Sequence, residues 1–162
     1  MINNKFTEEN LSLQKRYAPN SICFGCGPAN DKGLRINSFV EGDKLVCNFK
    51  AEPHHQAFPG ILNGGIIGSI LDCHSNWTAA WRIMKNLELD HPTCTVTAEY
   101  AVKLLKPTPL DKELFIVSEV IESKGRKAKI SAELYSGDEL CATCLGTFIA
   151  VKEDHPAYHR WN

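Results

Sequence analysis

The sequence predicts an α+β fold in which an antiparallel six-stranded sheet wraps around one long helix. Three observations support this prediction. Apolar residues recur at helical spacing, with no intervening proline, from Gly64 to about Lys85. Two β-rich runs precede this segment and four follow it. A lone helix that carries apolar residues along its whole length must be covered by the sheet to be buried.

Two strands are predicted before the long helix. Residues 34–40 alternate apolar and polar side chains, and a turn at 41–43 leads into a second strand over 45–49. Upstream, the segment 7–10 (Thr-Glu-Glu-Asn) has the composition of a helix cap, and Pro19 ends the short helix that would follow. Loops are predicted over 20–33, which is rich in glycine, and over 53–60.

Four further strands are predicted after the long helix, over 93–106, 113–123, 126–135 and 140–152. Short turn segments rich in proline or glycine separate them. The strict alternation over 127–135 is typical of a half-buried antiparallel strand. The chain is therefore expected to close its sheet with hairpins.

Composition indicates a single globular unit. The 162 residues are 43% apolar and 23% charged, which are ordinary values for a folded domain. We expect an N-terminal helix and cysteine-containing loop over 1–33, the main domain over 34–152 and a tail over 153–162. A net charge of −1 gives no general attraction to nucleic acid or acidic membranes. Seven cysteines, without an apolar leader, favour a reduced cytoplasmic compartment.

The predicted helix has one face of large apolar residues and a second face of small ones. The second face comprises Gly65, Gly68, Ser69, Asp72, Asn76, Ala79 and Ala80. Small side chains allow another backbone to approach closely, so we expect a strand or a second subunit to pack there. A carboxylate on a largely buried face is costly unless it is used or hydrogen-bonded. Asp72 is therefore a candidate functional residue.

Gly64 and Gly65 lie at the start of the predicted helix. Free amide hydrogens and the positive end of the helix dipole favour negative charge at this position. A carbonyl placed there is polarised, and the oxyanion that forms on attack is stabilised. Glycine allows that carbonyl to come close to the backbone. The pair is therefore a candidate oxyanion-binding site.

The pattern Asn63-Gly64-Gly65…Asp72 resembles the His-Gly-Gly…Asp signature of hotdog-fold acyl-CoA thioesterases of the phenylacetate-pathway type. The order of elements also matches, and residues 97–109 resemble the family's next strand. The resemblance covers about 34–152 and implies a hotdog fold. It also implies hydrolysis of an acyl-CoA to free acid and coenzyme A. It further implies an active site built between two subunits, so we expect a homodimer or a homotetramer, and no cofactor is expected because coenzyme A is part of the substrate.

The resemblance implies a role for each matching residue. The Gly64 amide would polarise the thioester carbonyl, and Asp72 would act as nucleophile or as general base on water. Thr97 matches a Ser or Thr that a second subunit contributes to orient the water or the acid. Asn63 replaces the usual His; asparagine can donate a hydrogen bond but cannot take up a proton.

Further substrate contacts are expected around these residues. The family often carries Asn or Gln in the preceding loop, and the matching place is Ala57, so His55 and Gln56 beside it are candidates together with the Gly65 backbone. Arg126 and Lys127 lie in a basic turn that could meet the coenzyme A phosphates.

A metal site is not predicted. Cys23 and Cys26 form one Cys-x-x-Cys pair, whereas a structural zinc site normally needs four ligands. The other Cys-x-x-Cys spacing, Cys141 and Cys144, lies in a predicted strand, where residues three apart point to opposite faces, so we do not expect it to form a joint site. The pairs Cys73-His74 and His54-His55 could complete the set only by tertiary proximity.

Two other functions remain open from the sequence. Hotdog dehydratases of fatty-acid synthesis also have a His…Phe-Pro-Gly loop like residues 55–60. In a dehydratase, Asp72 would have to serve as the catalytic acid on the helix. The doubled glycine favours the thioesterase. The third possibility is an acyl-CoA-binding protein that lost turnover when Asn63 replaced the histidine.

Overall fold

The protein begins, in the computed structural model, with a short helix followed by a loop. The structure describes residues 11–162, so the predicted cap at 7–10 lies outside the described residues. Helix α1 spans Leu13–Tyr17, and the Ser12 hydroxyl caps it by accepting from the Lys15 amide at 3.3 Å. Every other helix and strand of the described chain follows Ser38.

One long helix and a six-stranded antiparallel sheet form the body of the protein. Helix α2 spans Gly64–Asn86, close to its predicted bounds. The strands are β1 (Phe39–Glu41), β2 (Lys44–Lys50), β5 (Thr95–Leu104), β6 (Glu113–Lys124), β7 (Lys127–Ser136) and β8 (Glu139–Ala150). Their order across the sheet is β1-β2-β6-β7-β8-β5. The predicted α+β fold is confirmed.

The strand predicted over 34–40 is wrong for most of its length, because β1 begins only at Phe39. Arg35 has a φ of 48°, in the left-handed region that an extended strand cannot contain. The Leu34 amide instead donates to the Phe24 carbonyl at 2.7 Å. The apolar alternation therefore reflects packing of this segment against the cysteine loop.

The loop predicted over 53–60 contains regular structure. Gln56–Phe58 (β3) pairs with Ile61–Leu62 (β4) in a small separate hairpin. Gly60 makes the turn with a φ of 81°, which glycine adopts without steric cost. The hairpin leads directly into the start of α2 and fixes the direction from which the chain enters the helix.

Helix α2 lies in the curve of the sheet and packs mainly against β5, β6, β7 and β8. Ile70, Leu71 and Trp77 are fully buried. Ala79 packs against Ile130 and other side chains of the same chain. Of the two expected partners for the small-residue face, a strand or a second subunit, strands of the chain's own sheet cover its C-terminal half. None of the helices in residues 11–162 has the length and apolar character to span a membrane.

A buried chain of hydrogen bonds joins α1, the loop before β1, α2 and β2. The Gln14 amide donates to Ser38 Oγ at 2.9 Å, and its oxygen accepts from the Ser38 amide at 2.8 Å. The Ser38 hydroxyl lies 2.8 Å from His74 Nδ1, and His74 Nε2 lies 3.1 Å from the Leu45 carbonyl. Since a carbonyl only accepts, Nε2 carries the hydrogen and Nδ1 accepts from Ser38. Burial lowers the pKa of His74 to about 4, so the ring stays neutral.

The C-terminal segment packs against the same helix. The Trp161 ring stacks on Trp77 with centroids 4.2 Å apart and planes 14° from parallel. The Arg160 guanidinium donates to the Thr95 carbonyl at 2.8 Å. Residues 153–162 therefore cover the part of α2 that the sheet leaves open.

Gln14→Leu should test the buried hydrogen-bond chain. The change keeps the side-chain size but leaves the buried Ser38 amide without its acceptor, and it removes one donor to the Ser38 hydroxyl, which still donates to His74 Nδ1. We expect the free energy of unfolding to fall by about 1–3 kcal/mol, the usual cost of unsatisfied buried polar groups. Urea denaturation measures it. Lys15→Ala, at an exposed neighbour on the same helix, is the control and should change stability little. Equal stability of Gln14→Leu and the parent would contradict this account.

Candidate active site

Asp72 and Thr97 form a direct pair at the edge of the helix–sheet interface. Thr97 Oγ1 donates to Asp72 Oδ1 at 2.6 Å, and both residues are half-buried. Burial raises the pKa of Asp72, which the Thr97 hydrogen bond and the Arg160 charge partly oppose. The carboxylate is therefore oriented by one hydrogen bond and is a stronger base than an ordinary aspartate.

The expectation that Thr97 reaches the acid from a second subunit is wrong, because Thr97 and Asp72 of the same chain form this hydrogen bond. Strand β5 runs beside the N-terminal half of α2 in the opposite direction. A Cβ on Gly68 would lie 3.9 Å from the Tyr100 hydroxyl, and one on Gly64 would lie 2.9 Å from Leu104 Cδ1. Side chains of β5, a strand of the same chain, therefore lie next to the helix glycines.

Asn63 caps the helix rather than standing free. Its side-chain oxygen accepts from the Gly65 amide at 2.7 Å and from the Ile66 amide at 3.3 Å. The Gly65 amide is thus already occupied, although the residue was predicted to contact substrate. No described residue accepts from the Gly64 amide, and Gly64 is half-buried. This amide remains available for a substrate carbonyl.

His55 and Gln56 lie next to the helix start, as the sequence predicted. The His55 carbonyl accepts from the Asn63 amide at 2.9 Å, which ties the loop to the helix cap. His55 Nδ1 accepts from the Glu52 amide at 3.0 Å. The ring is buried, and burial is the main cause that lowers its pKa. Gln56 is exposed on β3. His55 therefore holds the loop, and Gln56 is free to contact a ligand.

The helix start and the acid are separated along α2. Asp72 lies eight residues after Gly64, which corresponds to a rise of about 12 Å at 1.5 Å per residue. The structure thus forms two groups of predicted site residues. One comprises His55, Gln56, Asn63, Gly64 and Gly65, and the other comprises Asp72 and Thr97.

Arg126 and Lys127 belong to neither group. Arg126 donates to the Val151 carbonyl at 2.9 Å, so its guanidinium holds the end of β8. Lys127 faces away from the helix, since its neighbour Ala128 packs inward. Together with Lys124 and Lys129 it lines a cleft of about 430 Å³ that also contains two glutamates.

The Cys-x-x-Cys pair does not stand alone. The sulfur atoms of Cys23, Cys26 and Cys73 all lie within 4.8 Å of one another. Hydrogen bonds from Cys26 and Cys73 lower the pKa of Cys23. The contact with Cys23 raises the pKa of Cys26 to about 12 and also raises that of Cys73. Tertiary proximity therefore supplies a third thiol, from the helix residue that follows Asp72.

The histidines named with the cysteines as possible ligands lie elsewhere. His54 is exposed and pairs with Glu52 at 3.4 Å. The two ring nitrogens of His74 are engaged with Ser38 and Leu45 in the core. Cys73, one of the residues that the sequence analysis named as able to join by tertiary proximity, does so, although no spacing rule connects residues 23 and 73.

Comparison with known proteins decides the family. A family model described as the thioesterase superfamily matches residues 59–143, more than half of the chain. The chain belongs to the thioesterase superfamily. The match includes the helix start, Asp72 and Thr97.

Two curated relatives of this superfamily chain are mammalian proteins named acyl-coenzyme A thioesterase THEM4. The Bos taurus protein is 28% identical over 150 residues, which is 90% of this chain and 58% of the relative. The Rattus norvegicus protein is 27% identical over 111 residues, which is 68% of this chain and 44% of the relative. The chain thus spans about half the length of these relatives.

Solved structures confirm the hotdog fold. A thioesterase superfamily protein from Shewanella loihica is 28% identical, with a TM-score of 0.63 covering 77% of this chain and 98% of the other. The PaaI protein of the phenylacetic acid degradation operon of E. coli is 12% identical, with a TM-score of 0.62 covering 74% of this chain and 81% of the other. The latter likeness concerns the fold alone.

Proposed function

We propose that this protein hydrolyses acyl-CoA thioesters to a free acid and coenzyme A. The observation that carries the proposal is the Asp72–Thr97 pair, a half-buried carboxylate held at 2.6 Å by a hydroxyl on the helix of a thioesterase-superfamily fold. The names of the mammalian relatives support acyl-CoA as the substrate class.

Asp72 supplies the attacking oxygen in either of two ways. As a general base it takes a proton from water, and the hydroxide attacks the thioester carbonyl carbon. The tetrahedral oxyanion collapses, the C–S bond breaks, and the coenzyme A thiolate recovers the proton from the Asp72 carboxyl. As a nucleophile the carboxylate attacks the carbonyl carbon first, the C–S bond breaks and the coenzyme A thiolate leaves; water then hydrolyses the resulting anhydride to the free acid and the Asp72 carboxylate, and the thiolate takes up the released proton. In both cases the hydrogen bond from Thr97 leaves the second carboxylate oxygen, Oδ2, for the reaction.

The Gly64 amide holds the oxyanion in this proposal. It is the first amide of α2, and no described residue occupies it. The positive end of the helix dipole adds to its effect. Asn63 serves by capping the next two amides, so the substitution of asparagine for the family's histidine preserves the helix start.

The active site is proposed to form between two copies of the chain. The carbonyl oxygen must contact the amide while its carbon lies about 3 Å from the attacking oxygen. Gly64 and Asp72 of one straight helix are about 12 Å apart along the axis, so they cannot serve the same carbonyl. We therefore place Gly64 of one subunit opposite Asp72 of the other in a homodimer, which could pair further into a homotetramer.

Strand β5 offers the surface for this pairing. It is the last strand of the sheet, with a neighbour on one side, and is ten residues long. Tyr100 is 46% exposed and Leu104 57% exposed, both beside the helix glycines. A long edge strand with exposed apolar side chains favours pairing with another strand. Pairing of two β5 strands would bring the two helices together near the acid and the helix start.

The remaining predictions concern the residues that contact the substrate and the compartment in which the protein acts. His55 and Gln56 border the thioester end of the site. Binding of the coenzyme A phosphates by Lys127 stays a prediction, and Arg126 is engaged with the backbone. The seven cysteines are free thiols in the described structure, consistent with the cytoplasmic location that also stays a prediction. The proposed chemistry routes no step through a metal or cofactor.

The dehydratase alternative gains no support from the structure. Its catalytic base would be His55, whose Nδ1 already accepts from the Glu52 amide in a buried ring. The binding-only alternative is separated by assay. A panel of acyl-CoAs that stabilises the protein thermally without releasing thiol would favour it.

Asp72→Asn should lower acyl-CoA hydrolysis by at least about 100-fold, the scale of lost general-base catalysis. The change keeps the side-chain shape but removes the charge and the proton acceptor. Release of coenzyme A thiol from an acyl-CoA panel, read with a thiol reagent, measures it. Asp43→Asn, at an exposed turn between β1 and β2, is the matched control and should retain parent activity. Undiminished hydrolysis by Asp72→Asn would place the base elsewhere.

Gly64→Pro tests the amide, since proline is tolerated at the first position of a helix and removes the N–H. Asn63 has a ψ of 133°, which suits a residue before proline. We expect kcat to fall about 10²- to 10³-fold, as on loss of one oxyanion donor. Gly64→Ala retains the N–H and should lose far less. Equal losses in the two variants would indicate a steric effect and not an amide role.

Mixed dimers test whether the site is shared. Differently tagged Asp72→Asn and Gly64→Pro chains are co-expressed, and dimers carrying both tags are purified. One of the two sites then combines an intact Asp72 with an intact Gly64. We expect about half of the parent activity per dimer, although each variant alone is inactive. No recovery would mean that both groups act within one chain, and a monomer by light scattering would exclude the shared site.

A further inference from the structure

We propose that Cys23, Cys26 and Cys73 form a binding site for a thiophilic metal cation, with Zn²⁺ as the best-fitting ion. The three thiolates would bind three positions of a tetrahedron, and the fourth would be open to solvent or to an added ligand. This inference reverses the metal-free expectation from the sequence. It is independent of the proposed hydrolysis.

The sulfur positions match such a site. Cys23 Sγ lies 3.8 Å from Cys73 Sγ. Zinc–sulfur bonds of about 2.3 Å at tetrahedral angles place two sulfur ligands about 3.8 Å apart. The Cys26 sulfur lies within 4.8 Å of both, so a small inward movement of one side chain completes the triangle. Thiolates are the ligands that zinc and other soft cations prefer.

The chain is shaped to bring the loop onto the helix at this point. A Cβ on Gly25 would lie 2.3 Å from Cys73 Sγ and 3.3 Å from the Ser69 carbonyl. A residue with a side chain would therefore push the loop away from α2. Glycine between the two loop cysteines lets Cys23 and Cys26 approach the helix sulfur.

Hydrogen-bond donors surround the sulfur atoms. The Trp77 indole N–H donates to Cys26 Sγ at 3.3 Å, and the backbone at Gly25 and Cys26 helps to lower the pKa of Cys23. Such contacts orient thiolate ligands and stabilise their charge. Cys26 is only 4% exposed, whereas Cys23 and Cys73 are half-buried. Cys26 thus lies on the more enclosed side of the cluster.

The charge around the cluster also fits. Three thiolates and one Zn²⁺ carry a net charge of −1, and the Arg160 guanidinium interacts with Cys23 and Cys26. Arg160 is fixed by its hydrogen bonds to Cys94 Sγ and the Thr95 carbonyl, both at 2.8 Å. A bound cation would link the cysteine loop to α2 beside Asp72 and so fix the position of the loop on the helix.

Cobalt(II) provides the direct test, because it replaces Zn²⁺ at such sites and is coloured. The reduced, chelator-washed full-length protein is titrated with Co²⁺ under anaerobic conditions. We expect sulfur-to-cobalt charge-transfer absorption and intense visible bands of tetrahedral Co²⁺, saturating at one ion per chain and bleached by added Zn²⁺. Zn²⁺ should also raise the Tm. Absence of these bands in the folded parent protein would overturn the proposal without any variant.

Single substitutions then assign the ligands. Cys23→Ser and Cys73→Ser should each lose most of the charge-transfer absorption and the Zn²⁺-dependent rise in Tm. Cys47→Ala, a buried cysteine on β2 outside the cluster, should retain both, and circular dichroism checks that each variant is folded. Bands that persist in folded Cys23→Ser and Cys73→Ser would overturn the assignment. A Cys23–Cys73 disulfide would also overturn the assignment if it forms in air and persists when excess Zn²⁺ and a mild thiol reductant are added.

Discussion

Burial of the long helix α2 is the constraint on which the rest of the structure depends. The helix carries large apolar residues such as Leu71 and Trp77 that are fully buried, and no second long helix exists in the described chain to cover them. Only a curved sheet can surround a single helix on most of its circumference. The sheet covers most of α2, and the C-terminal segment packs on another side. The Gln14–Ser38–His74 hydrogen bonds attach α1 and the loop before β1 to a third side. This arrangement leaves a narrow border where polar chemistry can reach the helix.

The position of this border explains why Asp72 is well placed as a base and why the Gly64 amide of the same chain lies too far away to act with it. Asp72 is placed where the sheet ends at β5, so its carboxylate is partly desolvated yet reachable, and Thr97 orients it at 2.6 Å. The helix start, with its free Gly64 amide, is displaced by about two turns. A straight helix cannot bend these groups onto one carbonyl. The proposed dimer resolves this geometry by using each helix twice, once for its amide and once for its acid.

The cysteine cluster lies beside the same part of α2, where the N-terminal loop packs on the helix. The loop that carries Cys23 and Cys26 covers α2 next to the acid, and Gly25 allows the contact with Cys73. Asp72 and Cys73 are adjacent in sequence but serve different neighbours, because successive helix residues point about 100° apart. The helix thus presents a carboxylate to β5 and a thiol to the loop within one residue.

Periodicity alone determined the long helix and most of the strands, because these features depend on local spacing along the chain, and the position of the helix start then indicated the glycine pair. The α2 bounds and strands β2 and β5–β8 follow from it closely, and the Asn63-Gly64-Gly65…Asp72 pattern indicated the family. Tertiary structure alone decided that Thr97 meets Asp72 within one chain, that Asn63 occupies the Gly65 amide, that residues 34–38 pack on a loop, and that Cys73 joins Cys23 and Cys26. Each of these is a contact between segments distant in sequence or a choice among hydrogen-bond partners. Such contacts depend on how the sheet curves around the helix, which no local pattern encodes.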